Sequence, residues 1–147
     1  LDDRTSRLEV SLFSEAFDQY CGKISKDALL VVEGEIQHDE YNGGMALRAS
    51  RILTVDEARQ RFSRVLHLDF SRAPLPEDFN LRLKHVVENH RAAHQVTTQE
   101  CPIVLSYQHA GAVAKIALGE KWRVHVCESL LQSLAQSFGQ DRVILQY

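Results

Sequence analysis

His90 and His94 stand four residues apart, a spacing that puts two imidazoles on one helical face, where they could hold a metal ion if a third ligand arrived from elsewhere. The same spacing suits an exposed helix end, with histidine beside the negative pole of the helix dipole. Asp2-Asp3 and Asp39-Glu40 are carboxylate pairs of the kind used in acid and base chemistry, yet each lies in a turn-like polar stretch beside a strand, where carboxylates are solvated. A glycine-rich phosphate loop, paired CxxC motifs, a Gly-x-Ser-x-Gly elbow and HExxH are all absent from the sequence. No catalytic residue and no metal ligand is therefore assigned.

Binding chemistry is easier to find. Arg7, Arg48 and Arg51, with Tyr41 at a hairpin tip, are the cations and ring that line grooves for single-stranded nucleic acid. Residues 1–52, however, hold six Lys or Arg against ten Asp or Glu, so weak nucleic-acid affinity is expected. Trp122 beside Arg123 pairs two residue types that dominate interface energetics. Leu131, Leu134 and Phe138 give the helix of residues 127–138 more apolar positions than one sheet face requires. Val143, Leu145 and Tyr147 lie in a final stretch that is apolar on both faces: a central strand, or an edge covered by another protein or a second copy.

These side chains need elements to carry them. Residues 7–13 alternate polar and apolar, which predicts a strand, and Ser14 caps a helix running to Ile24. A long strand over 28–38 joins Met45–Ile52 through Asn42-Gly43-Gly44, a hairpin turn that needs positive φ. Thr54-Val55-Asp56-Glu57 reads as a capping box, starting a short helix that reaches Phe62. There follow a strand at 65–70, a helix at 77–90 and a polar loop at 92–100. Strands at 103–108 and 113–118 come next, extended by 121–124. A helix at 127–138 stops at Gly139 before a last strand at 142–147.

The fold class is α+β. The first part is a three-stranded antiparallel sheet with a helix; the second has the order β-α-β-β-α-β of a ferredoxin-like domain, with both helices on one face of an antiparallel sheet. At 147 residues, 44% hydrophobic and 25% charged with a net charge of -3, the chain has the composition of one or two small soluble domains. No apolar run approaches the roughly 20 residues a membrane helix needs. Three widely spaced cysteines fit reduced thiols, so a cytoplasmic setting is expected. Leu1 opens on a strand-like pattern without an initiator Met, and a fragment of a longer protein is expected.

The residues also resemble a known family. Residues 1–5, Arg7 through Phe17 and the Val-Val-Glu-Gly-Glu strand at 31–35 look like the OB-fold module of the alpha subunit of bacterial DNA polymerase III; alone, they would equally suit an anticodon-binding OB module of a tRNA synthetase. The Asn42-Gly43-Gly44 hairpin, the 54–59 helix start, Asn80-Leu81-Arg82-Leu83, the strand from Pro102 to Tyr107, Gly119-x-x-Trp122-Arg123-Val124 and Leu130-Leu131 before Gly139 follow in the order seen in the polymerase family. Cys127 stands where that family has a Ser-like helix cap.

The resemblance implies an incomplete OB module at 1–53 supplying its third to fifth strands, a linker helix at 54–63, and a domain at 64–147 that docks the tau subunit of the clamp loader. It implies a DNA-directed DNA polymerase as parent chain, whose magnesium and catalytic carboxylates lie outside this sequence. Single-stranded DNA would be bound weakly, or only in the full-length chain. The rival reading is an autonomous OB-type single-strand-binding protein with a small accessory domain.

Overall fold

The computed structural model describes residues 2, 4–5, 7–39, 43–93 and 100–147. The chain forms two compact units, Leu1–Val55 and Asp56–Tyr147.

In the first unit, β1 (Glu9–Ser11), α1 (Ser14–Tyr20), a 3₁₀ turn (Cys21–Lys23), β2 (Leu30–Asp39) and β3 (Gly44–Thr54) follow one another. The alternation at 7–13 yields only three strand residues. The helix expected to reach Ile24 ends at Tyr20, where the chain tightens through Gly22, a poor helix former. Phe13, not Ser14, takes the capping position, and its carbonyl accepts from the Phe17 amide at 2.8 Å.

β3 lies between the other two strands, parallel to β1 and antiparallel to β2, so the expected wholly antiparallel sheet is in fact mixed. Its register slips once: Glu33 faces Arg51 but Gly34 faces Ala49, leaving Ser50 as the extra residue of a β-bulge. The Ser50 hydroxyl donates to the Glu33 carbonyl at 3.2 Å. A Cβ at position 34 would run into the Arg48 carbonyl, so only glycine fits this close approach. The bulge also brings Arg48 and Arg51, three residues apart, onto one face, opposite Glu35 and Glu33. Tyr20, Leu47, Ala49, Ile52 and Leu53 are buried, whereas Phe13, Phe17, Leu29, Ile36 and Met45 are each more than half exposed.

The second unit begins within α2 (Val55–Phe62), the helix foreseen from the capping box. β4 (Val65–Phe70), α3 (Phe79–Ala93), β5 (Ile103–His109), β6 (Ala112–Ala117), α4 (Glu128–Phe138) and β7 (Val143–Gln146) complete it. Residues expected to extend a strand at 121–124 form instead a 3₁₀ turn, Glu120–Trp122, followed by a single bridge in which Cys101 and Val124 exchange backbone hydrogen bonds of 2.8 and 3.0 Å.

From β4 onward the element order is β-α-β-β-α-β as expected, but the sheet is not the antiparallel one of a ferredoxin-like domain. Its strand order is β6-β5-β4-β7, with β4 and β5 parallel neighbours and the outer pairs antiparallel. The α3 crossover lays β5 directly beside β4 with no strand inserted between them, and a helix-length connection permits such a parallel pair. β7 is an edge strand, not a central one.

Leu66, Leu68 and Phe70 alternate onto the face that both helices cover, where Phe79, Leu83, Leu130 and Leu134 meet them. The Phe70 ring packs edge-on against Phe79 at 5.5 Å and Phe138 at 5.9 Å. Each such fully buried side chain contributes about 1.5–3 kcal/mol. On the opposite face His67 Nε2 and Ser106 Oγ, both buried, lie 2.7 Å apart. Gly139, at φ +99°, ends α4 where its position predicts. Among the described residues no helix is long and apolar enough to cross a membrane.

Candidate docking surface

The second unit holds α2 against α4 by polar contacts at the start of α4. Cys127 holds the N-cap position with its Sγ 3.2 Å from Ser129 Oγ, not bonded to a helix amide, and Asp56 Oδ1 accepts the Glu128 amide at 3.1 Å. Arg59 pairs with Asp56 at 3.1 Å and with Glu128. Burial works against the Arg59 charge, but the hydrogen bonds to Asp56 and Glu128 outweigh it and hold the guanidinium above its ordinary pKa.

A groove of about 580 Å³ runs beside this tie. Leu131, Ala135, Val143 and Leu145 supply its apolar lining; Arg59, Glu128, Gln132, Gln136 and Gln140 supply its polar lining. Apolar floor and amide rim are the anatomy of a protein interface. β7 borders the groove as an edge strand, and an extended partner segment could add to it by backbone hydrogen bonds.

Of the partner-binding residues read from the sequence, Leu131, Val143 and Leu145 converge on this groove. Leu134 and Phe138 do not reach it: at 0% and 4% exposure they belong to the core. The helical period explains the split, since 130, 134 and 138 face the sheet while 131 and 135 face the groove. Tyr147, 63% exposed, follows β7. Trp122 and Arg123 lie apart from these residues, at the 3₁₀ turn. Arg123 pairs with Glu120 at 2.7 Å, donates to the Glu100 carbonyl at 3.2 Å, and through its own carbonyl accepts from Arg91 at 2.9 Å. Sequence reasoning missed Arg59 and Glu128 as groove-lining residues and Asp56 as the carboxylate that ties them together. Glu128, Gln132 and Gln136, at steps of four along α4, were the legible signal of a polar stripe beside an apolar one.

Each of the three arginines read from the sequence as lining a nucleic-acid groove has a partner among the described residues. Arg7 pairs with Asp2 at 2.8 Å, and the Asp2 carboxyl is held below its ordinary pKa by the Arg4 amide and then by Arg7. The Arg48 guanidinium lies 4.3 Å from the centre of the Phe13 ring, and Arg51 pairs with Glu33 at 2.8 Å. Tyr41 lies outside the described residues, as do Asp3, Glu40 and His94. His90 Nε2 is 3.2 Å from Ser133 Oγ, which ties α3 to α4. Among the described residues no group of three metal-ligating side chains is present.

Residues 82–139, from α3 through α4 to its glycine stop, match the family model of the C-terminal domain of DNA polymerase III subunit alpha. Over all 147 residues the chain is 40% identical to DNA polymerase III subunit alpha of Pseudomonas aeruginosa, 37% to that of Vibrio cholerae and 34% to that of Escherichia coli. It spans 12% of the length of each of these curated relatives. The match of the α3–α4 region and the end-to-end similarity agree: the chain belongs to the DNA polymerase III alpha-subunit family, in its carboxyl-terminal region.

Proposed function

We propose that this chain is the carboxyl-terminal part of a replicative DNA polymerase subunit of the bacterial cytoplasm, that its second unit docks the tau subunit of the clamp loader, and that its first unit helps position single-stranded template. The groove beside α4 and β7 carries the docking reading: Leu131, Val143 and Leu145 form an apolar floor beside the outermost strand of a sheet. Nucleotidyl transfer and its magnesium are assigned in this reading to the remainder of the protein.

The template-positioning role rests on reading the first unit as the last three strands of an OB-type barrel. Two observations support it. β1 lies beside β3, the last strand, with α1 between β1 and the hairpin. The exposed Phe13, Ile36 and Met45 give that unit apolar surface that further strands would cover. The pairing of Arg51 with Glu33 favours weak DNA affinity in this piece alone.

Titration of the chain with the carboxyl-terminal domain of tau tests the reading. Expected is tight, salt-tolerant binding that Leu131→Asp with Leu145→Asp weakens by about a hundredfold, roughly 2.7 kcal/mol, with little affinity for a single-stranded oligonucleotide. Strong, salt-sensitive oligonucleotide binding without tau binding would support the autonomous single-strand-binding protein. Self-association through the β7 edge, lost in the same variant, would assign the groove to a second copy.

A further inference from the structure

We propose that a second pocket, around Trp122, receives an apolar side chain flanked by carboxylates in an acidic peptide of a partner protein. It holds about 250 Å³ between α3 and the Glu120–Trp122 turn and shares no lining residue with the groove beside α4, so it stands apart from the tau assignment. Val87 and Trp122 form its apolar part, and Lys84, Arg91 and Lys121 surround them with Glu88 as the one carboxylate.

The charge of this pocket is largely uncompensated. Lys84 and Glu88 lie 3.7 Å apart with both side chains 62% exposed, a loose pair that water screens. Arg91 donates to the neutral carbonyl of Arg123, which leaves its charge available. Lys121 makes no ion pair among the described residues. Three cations thus gather on a chain whose net charge is -3. Tryptophan and arginine are also the types that most often anchor an interface.

Size and burial choose between two ligands of complementary charge. A single-stranded nucleic acid needs an open ring face for stacking and a track of cations along its backbone. Trp122 is half-buried, packs against the core and closes a pocket with room for about one large side chain, which suits an inserted anchor with acidic neighbours on the rim.

Trp122 is the sole tryptophan of the chain, so its fluorescence reports on this pocket directly. The probe is a pentapeptide with phenylalanine at its centre and two aspartates on either side, titrated into the whole chain. Expected is a saturable change in emission, with affinity falling about tenfold in Lys84→Glu with Lys121→Glu and severalfold on raising salt from about 0.15 to 0.5 M. Both lysines are exposed; should that variant fail to melt like the parent, Lys84→Gln with Lys121→Gln takes its place. The proposal is overturned by no emission change, by an equal response to a peptide with lysines in place of the aspartates, or by unchanged affinity in the folded variant. A response to oligothymidylate in place of the acidic peptide overturns it in favour of nucleic acid.

Discussion

Arg51 and Glu33 face each other across the β2–β3 pair, a guanidinium nitrogen 2.8 Å from a carboxylate oxygen, because the bulge at Ser50 turns Arg51 onto the same face as Arg48. Glu35 stands opposite Arg48 in the same register, so the face carries two carboxylates for its two arginines. Counterion release, the main source of single-strand affinity, is small for such a balanced face. Glu33→Gln with Glu35→Gln should tighten binding of a fluorescent oligothymidylate by roughly three- to tenfold at low salt and steepen its salt dependence. Unchanged anisotropy curves would remove these two arginines from any nucleic-acid role.

Two neighbouring groups of α4 should respond in opposite ways. Leu134→Ala opens a cavity in the core and is expected to cost about 2–5 kcal/mol in urea unfolding, with tau binding kept wherever the unit stays folded. Leu131→Ala, half-buried at the groove, should cost less stability and weaken tau binding by more than about 1 kcal/mol. Comparable losses of stability at both positions would mean that the groove floor is ordinary core.

The Asp69 carboxyl is held below the ordinary carboxylate range by hydrogen bonds from the Ser71 hydroxyl and the Ser71 amide, the latter at 2.9 Å. A lowered folded-state pKa stabilises the fold above the unfolded value of about 4, and that contribution is lost as pH falls through the lowered folded value. Asp69→Asn should therefore flatten the acid limb of a melting-temperature profile below about pH 4. An unaltered acid limb would count against the Ser71 contacts.

Cysteine labelling should separate the three thiols. Cys21 is exposed while Cys101 and Cys127 are buried, and burial pushes the Cys101 thiol above its ordinary pKa. A thiol-specific reagent at neutral pH should modify one cysteine rapidly and the other two only in denaturant. Rapid reaction of all three in the native protein would contradict the packing of Cys101 against Val124.

Replacing Gly34 tests the bulge itself. Gly34→Ala drives a methyl group into the Arg48 carbonyl and should destabilise the first unit by more than about 1 kcal/mol, read from its unfolding transition. A neutral result would show that β3 can shift to accommodate it.

Local pattern determined most of the elements. Alternation placed β4 at Val65–Phe70, the capping box placed α2, and Gly139 stopped α4, because each signal depends on neighbours a few residues apart. The acidic balance around Arg48 and Arg51 was legible in the same way, from a count of charges. Strand pairing was not. That β5 lies parallel beside β4, and that β7 forms an edge, depends on contacts between residues dozens of positions apart, which no short window contains. The docking surface divides on the same line. Leu131, Leu134 and Phe138 look alike as apolar residues on one helix, and only the sheet packed beneath α4 decides that two of them are core and one lines a groove. The tie from Asp56 and Arg59 to Glu128 joins helices some seventy residues apart, so tertiary structure alone reveals the wall of that groove.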